Sequence, residues 1–350
     1  MDLSGIIKVF SLTAIAFAVA IAWTPILTNF LYKYKMGKQI RDAASAPIMA
    51  KLHQAKAGTP TMGGILIWGT TLALILAFHL LGTMFGGTWA KFDFFSRSET
   101  LLPLGALIAS AIVGLVDDYF NIRRIGPKGG GLRMRHRLLL YTAIATVGAL
   151  WFYFKLEWDY FRVPFIGGYN IGPWYIPIFI LVIVATSFSV NETDGLDGLA
   201  GGVLMSSFAA YAAIAGAQGK TDLAAFCGVI VGALCAFLWF NINPARFFMG
   251  DTGAMALGVT LGIVAMLTNT ALLLPVIGSV FVVESLSVII QLTSKKLRHG
   301  KKVFLSSPVH HHLEAIGWSE PKIVMRLWVI ANMSAVFGLA LALADHAFFK

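Results

Sequence analysis

Leu101-Leu102-Pro103-Leu104-Gly105-Ala106-Leu107-Ile108-Ala109-Ser110-Ala111-Ile112-Val113-Gly114-Leu115-Val116-Asp117-Asp118-Tyr119 runs sixteen mostly apolar residues straight into two adjacent carboxylates. A block of that length and composition is a membrane helix rather than a soluble strand or turn. It delivers a double negative charge to one surface of the bilayer. Paired carboxylates at a helix end suit a hard divalent cation such as Mg2+, which takes oxygen ligands and keeps part of its water. Alone, such a pair is more often a solvated helix end, since helix ends meeting water are ordinarily polar, so its meaning depends on what the other polar segments bring to it.

Composition extends the membrane reading to the whole chain. Of 350 residues 57% are hydrophobic and 13% charged, against roughly 25% charged in soluble domains. The first apolar block, about 6–30, is longer than the roughly 7–15 residues of a signal-peptide core and reads as a retained span. Ten apolar blocks are candidate spans, several of them shorter than the roughly 20 residues a crossing needs: about 6–30, 63–82, 100–116, 138–154, 174–190, 199–217, 222–240, 254–269, 271–293 and 323–344. The expectation is an all-α polytopic protein with ten transmembrane helices, a single transmembrane domain over residues 1–350. Cys227 and Cys235 lie eight residues apart in one block, about 12 Å along a helix. That is beyond disulfide reach, so both read as packing residues.

Basic residues set the orientation. Twenty fall in the loops after spans one, three, five, seven and nine. They are Lys33, Lys35, Lys38, Arg41, Lys51, Lys56, Arg123, Arg124, Lys128, Arg133, Arg135, Arg137, Arg246, Lys295, Lys296, Arg298, Lys301, Lys302, Lys322 and Arg326. The opposite loops hold Lys91, Arg97, Lys155, Arg162 and Lys220. That bias makes the first set cytoplasmic and both termini periplasmic. It also accounts for the net charge of +10 without a nucleic-acid partner.

Every cluster with chemical character falls on that same face. The first loop ends in His53-Gln54-Ala55-Lys56-Ala57-Gly58-Thr59-Pro60-Thr61-Met62-Gly63-Gly64. Its glycines offer backbone N–H groups to a phosphate, or make a plain turn. Asn191-Glu192-Thr193-Asp194-Gly195-Leu196-Asp197-Gly198 holds three acids where a helix cap needs one. Asn241 through Gly253 places Asp251 at the mouth of the eighth span, with Phe248 as a flat face for a base. His310, His311 and His312 are consecutive, point in different directions on a helix, and lack HExxH spacing. They suit hydrogen bonds to phosphate better than zinc. Glu284 is a carboxylate inside the ninth span, and such groups face protein rather than lipid. His79 reads as structural. An ion-coupled transporter would hold its charges near the bilayer midplane, and only Glu284 has that placement.

The motifs together resemble the phospho-N-acetylmuramoyl-pentapeptide transferases, of the polyprenyl-phosphate N-acetylhexosamine-1-phosphate transferase family. The matches are KAGTPTMGG from Lys56, VDDY from Val116, NETDGLDGLAGG from Asn191, FMGDTG from Phe248 and PVHHHLEAIGWSEPKIVMRLW from Pro308. The resemblance implies a ten-span fold, a homodimer and a site in cytoplasmic loops of a bacterial inner membrane. It implies transfer of phospho-MurNAc-pentapeptide from UDP-MurNAc-pentapeptide to undecaprenyl phosphate, giving lipid I and UMP, with Mg2+ as cofactor. The alternative within the family is a UDP-GlcNAc:polyprenyl-phosphate GlcNAc-1-phosphate transferase. By motif position, Asp117, Asp118 and Asp251 become the catalytic aspartates and metal ligands, Asp251 foremost. His310, His311 and His312 stand beside the phosphates. Lys56, Thr61, Asn191, Asp194, Asp197, Asn241 and Phe248 line the substrate pocket. The chain departs from the family pattern at Asn121 and Arg137, where lysine is usual, and at Tyr141, where glutamine is common. Arg123, Arg124 or Arg133 are then the candidates to replace a phosphate-facing lysine.

Overall fold

The computed structural model describes residues 1–37, 56, 58–126 and 130–348. His53 and the basic residues Lys38, Arg41, Lys51 and Lys128 lie outside the described residues. Among the described residues eight helices are long and apolar enough to cross a membrane, or nine if a bent pair counts as one span. In the order of the chain, the main helices are α1 (Leu3–Lys33), α2 (Ile65–Phe85), a short α3 (Gly87–Phe92), α4 (Leu101–Ile122) and α5 (Met134–Leu150). After a two-stranded antiparallel hairpin, Tyr160–Val163 with Gly167–Asn170, come α6 (Tyr175–Thr193), α7 (Leu199–Ala217) and α8 (Thr221–Asn241). The last are α9 (Asp251–Leu267), short α10 (Leu274–Ile277), α11 (Ser279–Leu297), α12 (Val309–Ala315) and α13 (Glu320–Phe348). The protein is an all-α, multi-pass membrane protein.

Two of the ten expected spans look different in the structure. The block at 271–293 is broken: the segments on either side of Gly278 are bent by 85°. The non-helical backbone of Gly278 interrupts the ladder there, three residues after Pro275 in the first turn of the short α10. The block at 254–269 is helix α9, which has only 17 residues. Two boundaries also move. Helix α4 continues past 116 to Ile122, and α5 begins at Met134. Asp117, Asp118 and Arg137 therefore project from helices, not from loops.

Helix α9 is the central post. Every residue from Thr252 to Leu267 is buried, the outcome expected of a helix apolar on all faces. It packs against α4 on one side and α6 on another, while α8 lies between α1 and α7. By contrast, α1, α5 and α13 are mostly exposed along their apolar lengths, as helices at a lipid boundary are. Small residues permit the tightest approach. A Cβ on Gly114 of α4 would collide with the Asp251 carbonyl and Thr252 Cα. Beside it, the Thr252 hydroxyl donates to the Ala111 carbonyl at 2.8 Å. Across the molecule, Arg162 of the hairpin bonds Asp345 of α13 at 2.6 Å, which ties the hairpin to the last helix.

The contact at Gly114 makes a stability prediction. Gly114→Ala should lower the melting temperature in detergent, overpacking costing about 1–3 kcal/mol. Gly105→Ala, on the same helix with nothing within 4 Å of the added carbon, should leave stability unchanged or raise it by about 0.5–1 kcal/mol. Equal melting temperatures for the two variants would contradict the packing described.

Candidate active site

Asp117 and Asp118 are neighbours on α4, about 100° apart around its axis, so they face different partners. Asp118 is buried and its oxygens accept the backbone N–H groups of Asp251 at 3.1 Å and Thr252 at 3.0 Å. Those are first-turn donors of α9, which have no intrahelical acceptor. Gly250, in the cap position, has no side chain to serve them. Asp118 thus caps α9 from another helix. The Thr61 hydroxyl also reaches Asp118, at 3.3 Å.

Asp117 and Asp251 instead converge on one cation. The same nitrogen of Arg137, Nη2, lies 2.7 Å from Asp117 Oδ2 and 2.9 Å from Asp251 Oδ2. Its sister Nη1 donates to Asp251 Oδ1 and Asn191 Oδ1, both at 3.2 Å. Asn191 closes the set by donating to Asp251 Oδ1 at 2.6 Å. The Leu132 N–H bonds Asp117 Oδ1. Helices α4, α5, α6 and α9 therefore meet at one charged knot. Arg137, visible in the sequence only as a departure from the family lysine, is its centre. Arg123 lies 5.5 Å from the centroid of the Tyr119 ring, and Arg123, Arg124 and Arg133 are all exposed.

A second cluster surrounds Lys56. Its ammonium bonds Asp197 at 2.6 Å and Glu320 at 2.5 Å, and lies 5.9 Å from the centre of the half-buried Phe248 ring. Asn243 and the Ala245 N–H also donate to Asp197. Asn241 bridges segments, accepting from Gly198 N–H at 2.9 Å and donating to the Phe247 carbonyl at 2.8 Å. Asp194 closes the end of α6. Sequence reasoning misses Glu320, Asn243 and Thr252; their partners lie on distant segments or neighbouring loops, and no local pattern marks them.

Of the two readings of the glycine-rich turn, the plain turn is the one the structure takes. Gly63 and Gly64 N–H groups donate to the Phe248 and Met249 carbonyls, each at 2.8 Å, so they hold the two loops together and do not face a phosphate. The glycines are needed for close approach: a Cβ at either position would strike the 247–253 segment. The histidines diverge, as expected of consecutive helical residues. Buried His310 bonds Glu284 at 2.9 Å, half-buried His311 bonds Glu314 at 2.8 Å, and His312 accepts the Leu305 N–H at 3.3 Å. His79 pairs with Asp93 at 2.9 Å, away from this site.

Among the described residues no group of three or more His, Cys, Asp or Glu is arranged to hold a metal ion. The three aspartates divide, because Asp118 turns to α9's amides. Mg2+ needs less, however: one or two carboxylates suffice when substrate phosphates and water complete its shell. Asp117 and Asp251, already converged on one positive atom, fit that requirement.

The knot predicts the behaviour of Arg137 variants. Arg137→Met leaves two carboxylates facing each other, and turnover should fall about 10²-fold or more. Arg137→Lys keeps the charge but loses the fork that reaches Asn191, so it should fall between. Steady-state rates of the purified proteins test this, and full activity of Arg137→Met would remove the guanidinium from the site.

Known proteins resemble this chain along most of its length. Residues 100–269 match the family model for glycosyl transferase family 4. Residues 56–67 match signature 1 of the phospho-N-acetylmuramoyl-pentapeptide-transferases. A protein of that name from Chloroflexus aggregans is 41% identical over 344 residues, covering 95% of this chain and 89% of its own length. Another from Geobacillus sp. is 41% identical over 330 residues, covering 93% and 95%. A third from Bacillus mycoides is 38% identical over 330 residues, covering 93% and 95%. The knot of Asp117, Arg137 and Asp251 falls inside the first match and Lys56 opens the second, and with such identity along nearly its whole length the chain belongs to the phospho-N-acetylmuramoyl-pentapeptide-transferase family.

Proposed function

We propose that the protein transfers phospho-MurNAc-pentapeptide from UDP-MurNAc-pentapeptide to undecaprenyl phosphate, forming lipid I and UMP. The observation that carries this reading is the convergence of Asp117 and Asp251 on a single cationic nitrogen, inside a chain about 40% identical to its named relatives. In the reaction, an oxygen of the lipid phosphate becomes bonded to the sugar-side phosphorus of the donor, by direct attack or by way of an aspartyl intermediate. The bond from that phosphorus to UMP breaks, and UMP leaves. Such an exchange asks the protein for positioning and charge neutralisation above all.

Asp117 and Asp251 would hold Mg2+, which when bound neutralises charge on the donor diphosphate. Asn191 fixes the Asp251 carboxylate through its amide. Arg137 balances the two acids and keeps both turned inward. Lys56, pinned by Asp197 and Glu320, stands beside the face of Phe248, on which a uracil ring would stack. His311 and His312, both half-buried, are the histidines open to a phosphate. A lipid phosphate is already largely ionised near pH 7, with its second pKa about 6, so no side chain needs to act as a strong base.

The same reading gives ten spans, with α9 and the broken α10–α11 pair each counted as one, and both termini periplasmic. The charged knot then faces the cytoplasm, in the bacterial inner membrane. The excess of basic residues on that face supports it. A homodimer is part of the proposal.

The deciding experiment is UMP release from UDP-MurNAc-pentapeptide by the detergent-solubilised protein with undecaprenyl phosphate. Release should require Mg2+, stop on chelation and return on re-addition. Asp251→Asn should abolish the Mg2+-dependent turnover. Release from UDP-GlcNAc in place of the muramoyl donor would reassign the chain to a sibling activity, and unchanged turnover of Asp251→Asn would refute the role given to that carboxylate.

A further inference from the structure

Glu284 lies on α11, just past the break at Gly278, and is fully buried. A carboxylate at such a place is costly and needs a partner. It has one: Oε2 is 2.9 Å from His310 Nδ1 and 3.4 Å from the His310 backbone N. Neither side chain has any exposed surface. The far side of the imidazole lies against Gly195, where an added Cβ would strike Nε2. Among the described residues, His310 Nε2 and Glu284 Oε1 have no hydrogen-bond partner. Stability alone does not favour such an arrangement, since an apolar pair of the same shape avoids leaving buried polar atoms unpaired. What the pair supplies is direction: the carboxylate fixes the ring plane and its tautomer, and the ring fills the space that the glycine leaves.

The contact falls on a sensitive stretch. Gly195 sits between Asp194 and Asp197, in the segment that begins with Asn191. Asn191 bonds Asp251 and Arg137, and Asp197 bonds Lys56. We propose that Glu284 is a positioning residue of the donor subsite, acting through His310, which it wedges against Gly195 to hold the Asn191–Asp197 segment in register with the charged knot. This rests on the reading above that the segment lines the nucleotide pocket. A side chain on the bent, membrane-embedded helix thereby sets the affinity for a water-soluble substrate.

The test uses the full chain in detergent. UMP binding is measured by titration calorimetry, and KM for donor and for lipid phosphate in the same preparations. Glu284→Gln, isosteric but uncharged, and Gly195→Ala perturb the wedge from opposite sides. Both should weaken UMP binding and raise the donor KM about tenfold, the scale on which lost outer-shell orientation is felt. Both should leave kcat and the lipid-phosphate KM within about twofold. Adding Glu284→Gln to His310→Asn should cost nothing more, because the carboxylate acts only through the ring. Misfolded protein lowers the binding stoichiometry rather than the affinity, so a folding defect does not imitate the result. Should Glu284→Gln fail to fold, Gly195→Ala decides the same question from the other side of the ring. Unchanged UMP affinity in the folded variants, a fall in kcat alone, or losses that multiply with His310→Asn would overturn the proposal. Absence of UMP binding by the wild-type protein would instead overturn the donor-site reading, and this inference with it.

Discussion

Asp118 serves as the helix cap that α9 cannot supply for itself. The first amides of a helix carry partial positive charge and need acceptors. In a buried helix with glycine in the cap position, water and local side chains are both excluded. A carboxylate from α4 meets the need, accepting from Asp251 and Thr252. That one interaction fixes the axial register of α4 against α9. Gly114 allows the approach, and Thr252 bonding to Ala111 reinforces it. Once Asp118 is so committed, its neighbour Asp117 is turned toward Arg137, and Asp251 is presented at the top of the post. The geometry of the charged knot follows from the cap.

The remainder of the site obeys the same constraint of low dielectric. Each acid is placed against a donor, because an unpaired charge in such surroundings is expensive. Arg137 answers Asp117 and Asp251; Lys56 answers Asp197 and Glu320. The two groups are joined by backbone: the 60–64 turn hydrogen-bonds to Phe248 and Met249, beside Asp251. The histidines form a third group, whose members divide between Glu284, Glu314 and the Leu305 amide.

Much of this was legible in the sequence, for a physical reason. Long apolar blocks mark membrane helices by length alone, and acids stranded at their ends mark a charged site. The convergence of Asp117, Asn191 and Asp251 follows once their segments share one side. Less legible were the features that depend on who faces whom. Asp117 and Asp118 are chemically identical neighbours, and only the helix phase separates a cap from a cation-facing acid. Gly63 and Gly64 carry the look of a phosphate loop, yet their amides are consumed by the adjacent stretch of chain. Glu320 and Asn243 have partners far away in sequence, so no spacing announces them. The break in the ninth block falls at Gly278, which a count of apolar residues passes over.

Because the knot's geometry follows from the cap, thermal unfolding in detergent probes the central claim directly. Asp118→Asn replaces one acceptor oxygen by an amide NH2 facing a backbone N–H. It should lower the melting temperature well below that of Asp251→Asn, whose carboxylate is held by the Asn191 and Arg137 side chains. Equal melting temperatures for the two, with Asp118→Asn as stable as the wild type, would contradict the claim that Asp118 holds the central helix.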